Sequence, residues 1–508
     1  MTRVQRLLAS RGVTFDNSFV SFSLCCPSRA TFLTGQYAHN HGVLANGPPS
    51  GGVEKLDASN TLAVWLQHAG YYTAFVGKYL NGYGRRTPQT VIPPGWDAWY
   101  ASVNLSFLGG SMNDNGNLIT FSTAEADYQT DVFSRIAQNV IRRRAPLAQP
   151  LFLWVTPHAP HTGGPRDPDD PADGFETTRP AARHRDRFAS VPLPMPASFN
   201  EEDVSDKPAD LRSRPPLTPT QIADIREAHQ QQLESLLAVD EMVGAIVDRL
   251  QEAGELDNTV VLFTSDNGFL NGEHRIRLGK VLPYEPSIRV PLIVSGPDIP
   301  VGLHLRQMVA NIDLAPTIVA LAGAKPDRVM DGRSLVPLFR DPGIEWGRDL
   351  LLEGLADDPV SLRFTGVRTP RFLYVEYGAG ERELYDLADD PNELLSRHDD
   401  PAYASMRDEL ARRLAGLRTC AGVGCRQGPQ LALSVRCRGP RPEARLEGPD
   451  QRLVVRVEFL VRGGRVGVDN RAPFARVLPS GKRSVRALAV LDDGRRVTRD
   501  RRAPSCRG

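Results

Sequence analysis

Lysine is scarce here: six residues against 55 arginines in a chain of 508. The arginine excess runs through the whole chain, so it reflects general composition and not one oxyanion site. No stretch approaches the roughly 20 consecutive apolar residues that a membrane helix needs, which excludes a helical span. Net charge is only +1, so bulk electrostatics gives no argument for nucleic acid or a membrane surface. Met1-Thr2-Arg3 leads straight into the amphipathic start Val4-Gln5-Arg6-Leu7-Leu8, without the apolar core of a signal peptide. Cysteine is sparse too. Cys25 and Cys26 are adjacent, whereas Cys420, Cys425, Cys437 and Cys506 gather at the far end. Four late cysteines in β-like sequence read as two disulfides, most simply Cys420–Cys425 and Cys437–Cys506. Disulfides predict an exported protein, secreted or held at the cell surface.

With 41% hydrophobic residues, the chain can bury a large core and form more than one domain. Thr73–Lys78 and Leu151–Val155 are continuous apolar runs, which suit strands covered on both faces in a mainly parallel sheet. Residues 163–217 are rich in Pro, Asp and Arg and lose apolar periodicity. They read either as a disordered insert or as an ordered loop across a site mouth. Thr218-Pro219-Thr220-Gln221 offers an N-cap, a first-turn proline and a capping-box glutamine; apolar residues then recur at helical spacing up to Gly254. Thr259–Thr264 and Val290–Val294 follow as strands, an α/β rhythm. Phe364–Arg368, Phe372–Tyr377 and Glu383–Asp386 read as antiparallel strands closed by a helix over Tyr403–Leu417. Leu431–Cys437, Leu453–Val461 and Val485–Leu491 predict a β-sandwich-like tail. The division is 1–350, 351–427 and 428–508.

Two adjacent cysteines before Pro27-Ser28-Arg29, with a helix start at Ala30, are most simply buried structural residues. A thiol beside a helix N-terminus and an Arg is also poised to be reactive. The wider string Cys25-Cys26-Pro27-Ser28-Arg29-Ala30-Thr31-Phe32-Leu33-Thr34-Gly35 resembles the signature of formylglycine-dependent sulfatases, C-x-P-S-R-x-x-x-L-T-G. Gly77-Lys78-Tyr79-Leu80-Asn81 is similar to a segment of the N-acetylglucosamine-6-sulfatase branch. Ser265-Asp266-Asn267-Gly268, Gly279-Lys280 with Tyr284-Glu285, Val309–Thr317 and Tyr385-Asp386-Leu387 match later family signposts in order.

The resemblance implies an alkaline-phosphatase-like α/β fold and hydrolysis of a sulfate monoester on a sugar or an aryl alcohol. It implies that Cys25 is converted to formylglycine by a formylglycine-generating enzyme. Arg29, Lys78 and Lys280 would neutralise the sulfate. Asp266, Asn267 and the modified Cys25 would bind a cation, Ca2+ by family likeness, with Mg2+ the other all-oxygen candidate. His158 or His161 would protonate the leaving oxygen; strand counting favours His161, the local His-x-Pro pattern His158. His39 and His41 could line the pocket or be solvated. Sulfatases also open with a buried strand ending in an Asp pair that binds the metal. No Asp-Asp precedes Cys25, and we expect the reading frame to continue upstream with such a strand. Two other readings stay open. One is a phosphomonoester or phosphonate ester hydrolase of the same superfamily; the other is an inactive relative that binds sulfated glycans.

Overall fold

The computed structural model describes every residue except 105, 146, 169, 172–174, 355–361, 427, 430, 480–483, 493, 494, 507 and 508. Two larger sheets, of five and four strands, carry the first 310 residues, with a small two-stranded one of Ser18–Phe19 and Val309–Ala310. One runs Asn117–Thr120, Ser111–Asp114, Ala98–Ser102, Tyr72–Gly77, Leu151–Thr156. Tyr72–Gly77 is parallel to both its neighbours, and a polar hairpin extends the far side in antiparallel register. The other sheet is mixed and runs Leu303–Leu305, Gly12–Phe15, Leu292–Ser295, Val261–Thr264. Each sheet therefore ends in an apolar strand with one neighbour, Leu151–Thr156 or Val261–Thr264. Both edges line the same cavity of about 1520 Å³, and most of their residues are only half-buried.

Helices cover the sheets. Pro219–Glu252 starts on the expected cap: Thr218 Oγ1 accepts from the Gln221 amide, and Gln221 Oε1 accepts from the Thr218 amide. Its buried Asp240 accepts the amides of Arg3 and Val4 at 3.0 and 2.9 Å, pinning the helix Thr2–Leu7 by its amino end. Of the two readings for 163–217, the described residues follow the ordered one. Phe175 and Leu193 pack with Leu217, Ile225 and Ala228, and buried Lys207 is paired with Glu201 and Asp206.

The antiparallel sheet of the third quarter runs Leu350–Glu353, Phe364–Arg368, Phe372–Tyr377, Arg382–Asp386, with Ala404–Leu417 packed on it. Its core is continuous with Phe19, Tyr37 and Ile312 of the first part. At that junction the hydroxyls of Tyr284, Tyr377 and Tyr385 donate to the buried carboxylate of Glu383 at 2.7, 2.6 and 2.6 Å. The buried charge is thereby fully hydrogen-bonded. The tail forms two antiparallel sheets around its own core, drawn from residues 431–503. Four of its strands, Arg441–Glu447, Gly464–Asp469, Ala475–Val477 and Arg496–Arg502, are not expected from sequence. Both disulfides join the expected partners, Cys420–Cys425 and Cys437–Cys506.

Candidate active site

Cys25 is the first residue of the helix Cys25–Thr34, following Leu24 in extended conformation, and is 1% exposed. Two ammonium groups converge on its sulfur: Lys78 Nζ at 3.3 Å and Lys280 Nζ at 3.1 Å. Burial alone would push this thiol up, but Lys78, Lys280 and a hydrogen bond from His161 more than offset that. The thiol is held well below its ordinary range, which favours its charged form. Cys26, one residue on, behaves oppositely. Burial pushes it up to about 12, and its amide donates to Asn46 Oδ1 at 3.0 Å. Adjacent cysteines thus differ because only one faces the lysines.

Lys78 follows directly on the end of the strand Tyr72–Gly77. Its amide donates to Thr156 O at 2.9 Å, and its own carbonyl accepts from Thr156 Oγ1 and an Arg29 Nη1. Gly77 makes this approach possible. It has φ +125°, and a Cβ there would lie 2.2 Å from Thr156 O. Burial also lowers the affinity of Lys78 for its proton, and the Cys25 charge partly restores it.

Lys280 comes from a loop, and its backbone is strained next door. Val281 sits at φ +85° with its amide bonded to Ser23 O, a conformation that a β-branched residue seldom adopts. That bond ties the lysine's loop to the segment leading into Cys25. Lys280 Nζ also reaches Asn267 Oδ1 at 3.2 Å. Asp266, at the carboxyl end of Val261–Thr264, accepts from Arg29 Nε at 2.7 Å. Burial would raise its carboxyl, but Arg29, Lys78 and Lys280 hold it far below the usual carboxylate range.

His161 and His158 stack at 4.9 Å between ring centroids, and both donate to Thr162 O. They differ in what else they meet. His161 is near enough to the Cys25 thiol to help hold it low. His158 is buried at 3% exposure beside Phe107, and burial, then Lys78, keeps it neutral. His39 and His41 are outside the site. His39 bridges Glu353 and Cys420 O, and His41 is wedged between Thr31 Oγ1 and the Val43 amide.

All six residues expected to act on sulfate or the leaving group, Cys25, Arg29, Lys78, His158, His161 and Lys280, therefore lie in or around one cluster. Sequence reasoning missed the residues that set it. Asn311 bridges the Ser21 amide and Ser28 Oγ, and Asn46 holds the start of the helix. Asn46 carries no local signal, and although Asn311 lies within the matched string Val309–Thr317, its reach to Ser21 and Ser28 is remote in sequence.

The cation expected at Cys25, Asp266 and Asn267 fits these residues poorly. Asp266 is the one carboxylate, already held by Arg29, and the Asn267 oxygen faces Lys280. Among the described residues no three His, Cys, Asp or Glu side chains converge as a metal set. Ca2+ takes six to eight oxygens, so this donor set is short by several.

Comparison with known proteins agrees with this geometry. Residues 1–324 match the sulfatase family, and residues 272–420 match the C-terminal region of N-sulphoglucosamine sulphohydrolase. The chain is 30% identical over 474 residues to a human N-acetylglucosamine-6-sulfatase, covering 84% of this chain and 82% of that protein. It is 32% identical over 472 residues to an arylsulfatase of Volvox carteri, covering 82% and 70%. A putative extracellular sulfatase Sulf-1 homolog of Caenorhabditis elegans is 36% identical over 344 residues, and there the chain spans 46% of its length. Two solved structures share the fold. One holds its substrate D-glucosamine-2-N,6-O-disulfate (TM-score 0.67, 24% identity, 82% of this chain and 91% of that one). The other is a phosphonate monoester hydrolase of Agrobacterium radiobacter (TM-score 0.58, 24% identity, 82% and 90%). With its α/β sheets, its antiparallel C-terminal sheets and a cysteine pinned between two lysines, the chain belongs to the sulfatase family of the alkaline phosphatase superfamily, the sulfuric ester hydrolases.

Proposed function

We propose that Cys25, oxidised to formylglycine by a formylglycine-generating enzyme, is the nucleophile in hydrolysis of a sulfate monoester, either a sugar 6-O-sulfate or an aryl sulfate. The observation that carries this is the pair of ammonium groups at 3.1 and 3.3 Å from its sulfur. That sulfur stands where a formylglycine oxygen would be, so the same lysines would hold the charge of the hydrate and of the sulfate it attacks. His161, which favours the charged form of the same thiol, is the proposed proton donor to the leaving alcohol, and neutral His158 stacks on it. Arg29 orients Asp266 and the Lys78 backbone. Sugar sulfates are favoured by the likeness to the N-acetylglucosamine-6-sulfatases. Secretion is supported by the two disulfides and by relatives named extracellular sulfatases. Of the three-part division at 350 and 427, the boundary at 427 draws support from the separate core of the tail, whereas residues on both sides of 350 share one core.

The sulfatase likeness supports a divalent cation, Ca2+ or Mg2+, but Asp266, Asn267 and Cys25 do not by themselves supply the oxygen donors that either ion takes.

The catalytic reading is tested by comparing aryl sulfate with aryl phosphate turnover. Preference for sulfate, lost in Cys25→Ala, is expected. Preference for phosphate, or undiminished activity in Cys25→Ala, contradicts it.

A further inference from the structure

The near-zero net charge conceals a division. Residues 428–508 hold nineteen Lys and Arg against eight Asp and Glu, a net charge of +11. Residues 1–427 hold 42 against 52, a net charge of −10. An arginine-rich composition cannot explain this, because the larger part is arginine-rich as well and still acidic.

Some tail arginines are spent on docking. Arg452 pairs with Glu409, Arg495 with Asp349 and Arg499 with Glu345, at 3.1, 3.1 and 3.2 Å, all on the body of the molecule. A second set lies elsewhere. The edge strand Ala432–Arg438 leads away from that contact. Its seven residues reach a hairpin whose far end brings Arg438 directly opposite Arg441. Cys437–Cys506 ties this hairpin to the chain just beyond the strand Arg496–Arg502, whose last residues are Arg501 and Arg502. Arg436, Arg438, Arg441, Arg501 and Arg502 are all exposed. Arg438 pairs with Glu443, and nearby Asp500 is taken by Arg486. Among the described residues the other four have no carboxylate partner.

Like charges directly opposite in a hairpin destabilise it. Charged residues on edge strands do deter edge-to-edge pairing, yet mixed signs would serve that purpose as well. Five exposed guanidinium groups at the disulfide-tied end of the tail, four of them without a carboxylate partner among the described residues, suit instead a flexible chain of oxyanions that can wrap around that end.

We propose that this end of the tail binds a sulfated polysaccharide, holding a polymeric substrate while its sulfate esters enter the Cys25 site. This rests on the sulfate-ester reading above for the choice of sulfate over other anions. The occupant follows from charge complementarity with the anion that the same chain hydrolyses.

The test uses the whole protein with all four unpaired arginines changed together, Arg436→Gln, Arg441→Gln, Arg501→Gln and Arg502→Gln. The probe is fluorescent dextran sulfate, titrated at several salt concentrations. Wild-type protein should bind with a steep salt dependence. The variant should bind roughly 10- to 100-fold more weakly, with a slope smaller by about three sulfate contacts. Turnover of a small aryl sulfate should not change, while KM for a polymeric substrate should rise. The double change Arg436→Gln with Arg441→Gln, expected to give about half the logarithmic effect, serves if the fourfold variant fails to fold. Undiminished binding by a folded variant overturns the proposal. Tighter binding of duplex DNA or phosphatidylglycerol vesicles than of dextran sulfate at equal salt overturns the choice of occupant. Dextran sulfate binding needs no turnover, so loss of aryl sulfatase activity with binding intact would count against the catalytic reading alone.

Discussion

Replacing Lys280 by Met should raise the proton affinity of the Cys25 thiol. The ammonium lies 3.1 Å from the sulfur. At an effective dielectric constant of about 20, opposite unit charges at that distance attract by about 5 kcal/mol. The net contribution is smaller, because Lys280 also serves Asn267 and Lys78 remains. Even a quarter of it, about 1.4 kcal/mol, changes the proton affinity of the thiol tenfold. The assay is thiolate absorbance against pH in the unmodified protein. It is unusually clean here: four cysteines are in disulfides and Cys26 is pushed up to about 12, so Cys25 is the thiol that titrates below that. Lys280→Met should shift the transition upward by more than tenfold in proton concentration, and Lys78→Met should do likewise. An unchanged or downward-shifted transition in a folded variant would refute the claim that the lysines charge this site.

His161→Ala should cut kcat for an aryl sulfate by about 10²- to 10⁴-fold, whereas His158→Ala should act mainly through stability; equal kcat losses with equal melting temperatures would remove the distinction. Gly77→Ala forces φ +125° on a residue with a Cβ 2.2 Å from Thr156 O. It should cost at least about 3 kcal/mol in denaturant unfolding or prevent folding; a smaller loss would contradict the close approach. Burial pushes His41 down to about 3. A folded-state value below the unfolded one near 6.5 means stability that is complete above about pH 6.5 and lost as pH falls toward 3. His41 should account for about 2 kcal/mol of that loss by about pH 5. Buried His158 adds to the trend; His39, raised through Glu353 despite its own burial, opposes it. His41→Gln should flatten the stability curve over that window, and an unaltered curve would contradict the assignment.

Much of the site was legible because its residues sit in short strings whose local geometry does the positioning. The Cys25–Arg29 turn opens a helix, Gly77-Lys78 closes a strand, and Asp266-Asn267 forms the turn after another. Their convergence was less so. Lys280 meets Cys25 across 255 residues, steered by a strained Val281 that no propensity would suggest. The long helix was readable from its capping box and period, and the antiparallel strands near 364–386 from their apolar content. Arg441–Glu447 and Arg496–Arg502 were hidden because their outward residues are nearly all charged or polar, leaving only Leu446 or Val497 as apolar markers. The tail's charge was invisible in the whole-chain total, since an acidic body cancels it.

The central claim is that Cys25 is the residue converted for catalysis. Mass spectrometry of the peptide spanning residues 18–36, from protein made together with a formylglycine-generating enzyme, tests it most directly. The account predicts an aldehyde at Cys25 and an unmodified thiol at Cys26, with aryl sulfate turnover proportional to the modified fraction. Turnover by protein whose Cys25 remains a thiol would contradict it.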